Sequence, residues 1–166
     1  MIVFDASTLI LVAKIELLDR LLGSFSMPVA VPAEVARECC SGKKVLDALV
    51  IQRAIDDSRI KVVTLANTTL VRKLRTDFSL GQGEAEAIVL ASRARALLAI
   101  DDKSGINACK FLGLAFTTAI ALLLRSREKQ VLSRDEAPLR LEQLARYGRY
   151  KDLIIEDARH RLEEIP

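Results

Sequence analysis

The sequence predicts an α/β fold, a three-layer α/β/α arrangement with a central parallel sheet and a helical C-terminal tail. Three observations carry this. Short apolar runs alternate with longer stretches of helical spacing, two of those runs stop at aspartate, and the chain is the length of one domain. With 166 residues, 51% of them apolar, it can bury a full core without disulfides or metal staples. The expected organisation is a single domain, 1–166, with 1–125 as the α/β core and 126–166 as C-terminal helices.

Ile2 to Phe4 is an apolar run ending at Asp5, and Thr8 to Leu22 follows with helical spacing, which predicts a buried strand feeding a helix. Met27 to Val31 predicts a second strand, with Pro32 suited to the first turn of the helix AEVARECC. Val45 to Ile55 has helical spacing, and the β-branched run IKVVTL, Ile60 to Leu65, predicts a third strand. Glu84 to Ala96 predicts a helix introduced by LGQG. Leu97 to Ile100 then predicts a strand stopping at Asp101. A helix over Lys103 to Phe111 and the short apolar AF complete another unit. Beyond Ala119 the sequence predicts only helices, around ALLLRSR, EAPLRLEQLARYG and DLIIEDARHRLEE, the last two separated at Gly148.

Composition narrows the chemistry. Cys39, Cys40 and Cys109 are odd in number and two are adjacent, so neither a disulfide framework nor a zinc spacing is present, and a reducing cytoplasm is the expected compartment. A reactive thiol would need a basic neighbour. His160 is the single histidine, which excludes a His-based metal cluster. The apolar N-terminal stretch is interrupted by Asp5, Lys14 and Glu16 and lacks a basic leader, so neither a signal peptide nor a membrane anchor is expected. A net charge of +3 with interleaved signs permits nucleic-acid binding without arguing for it.

Ligands of open parallel sheets bind outside the carboxyl ends of the strands. Asp5 and the pair Asp101–Asp102 end two strands, so they are expected at one edge although far apart in sequence. Each could instead cap the helix that follows, but Asp101 and Asp102 cannot both cap one helix, and gathered carboxylates repel unless neutralised. Glu34 and Glu38 lie one turn apart in VPAEVARE, and Glu84 and Glu86 open a helix beside flexible glycines; either pair could contribute, or serve as solvated or dipole-stabilising charge. An all-oxygen set of this kind suits a hard cation, Mg²⁺ or Mn²⁺, which can hold phosphate oxygens and supply an attacking water. The chain has no G-x-x-x-x-G-K-S/T loop, no G-x-G-x-x-G fingerprint and no G-x-S-x-G elbow, and DAS lacks the second Asp of an aspartyl-phosphatase.

In this order, IVFDAS, VPAEVARE, GQGEAEAIVLA and LLAIDDK resemble the ordered motifs of the PIN-domain family of metal-dependent ribonucleases, which includes the VapC toxins of toxin-antitoxin systems. The resemblance covers roughly residues 1 to 125 and is nearest a subgroup carrying GEAEAI and IDD. It implies Asp5, Glu38, Glu84 and Asp102 as catalytic and metal-holding residues, with Ser7, Asp101 and Glu86 in support. Within the pairs it favours Glu38 over Glu34, Glu84 over Glu86 and Asp102 over Asp101. Ile106 and Thr118 depart from the subgroup, which often has a basic residue and a glycine there. The implied activity is endonucleolytic cleavage of RNA with Mg²⁺ or Mn²⁺, by a toxin-type protein restrained by an antitoxin protein. A homodimer is implied as well. Lys43, Lys44, Lys103 and Lys110 are candidate backbone contacts. The alternatives are a non-catalytic protein using an acidic groove for a cation or a partner's basic segment, and a phosphatase of another α/β family. The apolar helices near Ala119 to Leu124 and Leu139 to Leu144 are expected to cover the sheet or to form a dimer face.

Overall fold

The computed structural model describes residues 1–42, 44–66 and 69–166. Five short strands, β1 (Ile2–Phe4), β2 (Val29–Pro32), β3 (Ile60–Val63), β4 (Leu97–Ala99) and β5 (Phe116–Thr117), form one sheet in the order β3-β2-β1-β4-β5. Every pairing is parallel. Their sequences IVF, VAVP and LLA read as unbroken apolar runs because a parallel sheet is buried on both faces. The edges are short or charged: β5 has two residues, and β3 presents exposed Lys61, features that resist pairing with another chain.

Successive strand residues point to opposite layers. Ile2, Phe4, Val29, Val31 and Ile60 pack into one core, while Val3, Ala30, Leu98 and Ile100 pack into the other. The first layer contains α1 (Ala6–Lys14), α2 (Leu18–Ser24), α3 (Ala33–Cys40) and α4 (Leu46–Asp56), together with α8 (Ala119–Glu128), α9 (Glu136–Tyr147) and α10 (Asp152–Glu164). The second contains α5 (Thr69–Phe78), α6 (Gln82–Ala94) and α7 (Lys103–Leu112). The three-layer expectation holds. So does core packing of the tail: Ile120, Leu122, Leu123, Leu124, Leu141 and Leu144 are buried. Leu139 is the one leucine of that stretch of α9 that is strongly exposed, at 61%.

Two local expectations change. The stretch Thr8 to Leu22 is two helices, broken where Glu16 takes a left-handed φ of 55°. The Leu17 N–H then donates to Val12 O and the Glu16 N–H to Ala13 O, a Schellman ending. A straight helix would put Ile15 and Leu17 on opposite faces, whereas the turn buries both completely. Helix α5 was not expected, because its charged composition hides a narrow stripe, of which Val71 and Leu74 are buried.

The same ending closes α6. Arg95 turns left-handed at φ 49°, the Ala96 N–H returns to Ala91 O, and the chain enters β4 directly. That turn sets the register Val3↔Leu98 and Phe4↔Ala99, which brings Asp5 beside the end of β4. Among the described residues no helix is long and apolar enough to cross a membrane.

Candidate functional site

The shared register delivers Asp5, Asp101 and Asp102 to one edge of the sheet. The Asp5 N–H donates to Ala99 O at 3.0 Å, and the Ile100 N–H to Thr117 O at 2.9 Å, so β1, β4 and β5 are still paired where the acids begin. Asp5 caps α1: its Oδ1 accepts from the Thr8 N–H at 2.9 Å and its Oδ2 from the Ser7 hydroxyl at 2.6 Å. Asp102 caps α7, accepting from the Gly105 N–H at 3.0 Å. Each therefore fills the capping role that its position allowed, and each also faces a cavity. The two uses are compatible because a carboxylate accepts on several lone pairs and a cap occupies one side of it.

Glu84 stands in the first turn of α6, its Oε2 accepting from the Gly81 N–H at 2.8 Å. Glu38, on α3, lies against α6, where it accepts from the Gly83 backbone. Glycine at 83 is what allows this approach, since a Cβ there would lie 2.7 Å from Glu38 Oε1. Asp5, Ser7, Glu38 and Glu84, with Gly81, line a cavity of about 670 Å³. A second cavity of about 540 Å³ adjoins it through Ser7, Ile10 and Glu84, and contains Asp101, Asp102, Lys103 and Tyr150.

The remaining acids do not join. Glu86 accepts from the Gln82 amide at 2.6 Å and lines neither cavity. Glu34 is held by Arg37 through a two-point ion pair, which lowers its pKa. Lys44 is exposed and lines neither cavity; Lys43 lies outside the described residues.

Electrostatics distinguish the first cavity. Asp5 is completely buried, and desolvation pushes its pKa up to about 6, against the bonds from Ser7 and Thr8 and with help from the Asp101 charge. The Glu38 pKa is also raised, first by burial, then by the charge of Glu34 and, more weakly, of Glu84. These carboxylates resist ionisation chiefly because burial strips water from their charged forms. Their donor set, all oxygen and partly desolvated, fits a hard divalent cation. Among the described residues no three Asp, Glu, His or Cys side chains already converge tightly on one point.

Asp101 is bonded quite differently. Its Oδ2 accepts from the Thr8 hydroxyl at 2.9 Å and from the Ala119 N–H at 2.9 Å, and its Oδ1 from the Tyr150 hydroxyl at 2.6 Å. Sequence reasoning missed both Thr8 and Tyr150. Thr8 could have been suspected from its place in the first turn after DAS, whereas Tyr150 carries no local signal. Thr118, one of the departures noted above, caps α8 by accepting from the Ala121 N–H at 3.2 Å.

The thiols are poor candidates for chemistry. Among the described residues Cys39, Cys40 and Cys109 form no disulfide, and burial followed by the Asp5 charge pushes Cys109 up to about 11, the opposite of an activated nucleophile. His160 is exposed on α10, 3.9 Å from Glu163. A comparison with protein families matches residues 1–164 to the family described as "DUF3368: PIN domain". A search of curated proteins returns no match.

Proposed function

We propose, from the premise that this chain belongs to the PIN-domain family, whose members are generally nucleases, that it is a divalent-metal-dependent endoribonuclease. The observation that carries the reading is the cavity walled by Asp5, Glu38 and Glu84 at the carboxyl end of a parallel sheet, with Asp102 in the adjoining one. Asp5, Glu38, Glu84 and Asp102 would hold Mg²⁺ or Mn²⁺, which when bound supplies charge neutralisation at the phosphate and an activated water.

The chain's own groups do the rest. Ser7 fixes the Asp5 carboxylate by donating to Oδ2, leaving its other lone pairs directed by the α1 turn. Gly83 holds Glu38 in place through its backbone. Glu84 is oriented by the Gly81 N–H. Asp101 supports the site from behind, binding Thr8, which in turn holds Asp5. Lys103, exposed at the start of α7 beside Asp102, is positioned to meet a substrate phosphate.

Incubation of a mixed single-stranded RNA pool with Mn²⁺ or Mg²⁺ tests the reading: internal cleavage is expected, abolished by chelation and by Asp5→Asn. Full activity in Asp5→Asn would remove the metal-site account. The similarity to VapC toxins extends the proposal to a homodimeric toxin restrained by an antitoxin, which predicts growth arrest on expression, relieved by the same substitution. One observation favours a second reading, a cation- or partner-binding protein without turnover: the acids of the described residues do not already close round one point. Calorimetric Mn²⁺ binding without cleavage would select it.

A further inference from the structure

The carboxylates are not the only concentration of charge among the described residues at this edge. A groove of about 570 Å³ opens on the far side of Tyr150 and shares Asp101, Lys103, Arg149 and Tyr150 with the second acidic cavity. One wall is a face of α7, where Lys103, Ile106, Asn107 and Lys110 recur at helical spacing. The other wall is the α9–α10 connector and α10, which bring Arg149, Lys151 and Arg161. The floor is apolar, formed by Ile106, Ile120, Ala121 and Ile154.

The five cations face two acids, Asp101 and Asp157. Asp101 already accepts from Thr8, Ala119 and Tyr150, and Asp157 lies 4.0 Å from Arg161. Among the described residues Lys103, Lys110, Arg149 and Lys151 form no ion pair. Some arginines elsewhere are neutralised, as in Arg20–Glu136, Arg37–Glu34 and Arg59–Asp19, so what sets the groove apart is the gathering of its cations along one cavity. The sequence interleaves its charges, but folding gathers three acids in the first cavity and five cations around the groove. The second cavity, which shares residues with both, sets Glu84, Asp101 and Asp102 against Lys14, Lys103 and Arg149.

We propose that this groove is the track for single-stranded RNA, with phosphates on the cationic rims and bases or sugars over the apolar floor. The C-terminal connector and α10, outside the segment in which the motifs lie, thereby supply three of the five cations and α7 supplies two. This assignment rests on the nuclease reading for its substrate. The groove's continuity with the Asp102 cavity is what favours a polynucleotide over an acidic peptide, because a strand lying in it leads a phosphodiester to the carboxylates.

The test measures binding of a fluorescent single-stranded RNA oligonucleotide to the uncleaving Asp5→Asn form across a salt series. Adding Arg149→Glu and Lys151→Glu is expected to weaken binding at least tenfold and to reduce the salt slope by about 1.4, two phosphate contacts at about 0.7 each. Lys110→Glu, on the opposite wall, gives a smaller loss of the same kind. The matched pair Lys61→Glu and Lys73→Glu, on β3 and α5, changes net charge equally and is expected to cost less than threefold. Equal losses from both pairs, or no loss from the groove pair, would overturn the track. So would displacement of the RNA by polyglutamate at equal charge concentration, which would assign the groove to acidic peptides. Groove-dependent RNA binding with no cleavage by the parent protein removes the nuclease reading and leaves the track standing; cleavage with groove-independent binding does the reverse.

Discussion

Asp5 and Asp101 end adjacent strands, one position out of step, yet they are built into the molecule in contrasting ways. The partners of Asp5 come from its own turn, Ser7 and Thr8. Those of Asp101 come from α1, the start of α8 and the α9–α10 connector, at separations of 93, 18 and 49 residues. The first is a local cap left short of positive charge in a buried place. The second is a clasp between remote segments. Burial without sufficient compensation marks a carboxylate held for a ligand, whereas saturation by remote donors marks one that holds the fold.

The sharpest way to break this contrast is to remove each charge in turn. Asp5→Asn is expected to lower RNA cleavage on the order of 10³-fold while raising the stability of the metal-free protein by about 1–3 kcal/mol at pH 8, because a neutral amide avoids the desolvation that raises the acid's pKa. Asp101→Ala is expected to destabilise by about 3–5 kcal/mol, leaving two hydroxyls and a backbone N–H without their acceptor. Chemical denaturation of both variants reads the signs directly. If both destabilise alike, the distinction fails.

Next in size is the pH dependence. The Asp5 pKa is raised from 3.8 unfolded to about 6 folded, so between these values the folded state binds more protons. Its contribution to stability is therefore most favourable below about pH 4 and falls by about 3 kcal/mol as pH rises through 6. Without added metal, the Asp5→Asn variant should lack this fall. Cleavage should run the other way, declining below pH 6 as Asp5 takes up its proton.

Smaller effects sharpen the geometry. Gly83→Ala places a Cβ against the end of a flexible Glu38 side chain, so the chain can move with little loss of stability while the carboxylate leaves its position. A 10–100-fold loss of activity at near-unchanged melting temperature is expected, of the size seen when a metal ligand's support is removed. Tyr150→Phe removes one donor from Asp101 and keeps the ring; about 1–2 kcal/mol of stability should be lost. A larger loss of activity than of stability would show that the clasp also orients the acids.

This contrast also explains what could be read in advance. The strands were legible because buried parallel strands are continuous apolar runs; Asp5 and the Asp101–Asp102 pair stood out as strand ends, and the ordered motifs singled out Glu84 and Asp102, whose bonds to Gly81 and Gly105 are local. Glu38 was singled out over Glu34 by motif spacing, and Arg37 accounts physically for the occupation of Glu34. The break at Glu16 was not legible, since it depends on burying Ile15 and Leu17 together in a core formed by distant elements. Tyr150 and the basic groove were hidden for the same reason. Arg149 and Lys151 are ordinary in sequence and gain meaning only when α9 and α10 fold back over α8.

The Tyr150 clasp has a consequence for synthesis of the chain. All five strands and the carboxylates at 5, 38, 84 and 102 lie before residue 118, so they leave the ribosome ahead of the last helices. Asp101 receives its tyrosine, and the groove its connector cations, only when residues 149 to 151 have emerged. The proposed track is thus the last part of the edge to be synthesised, and it is completed by a stretch of three residues, 149 to 151, that comes after every strand.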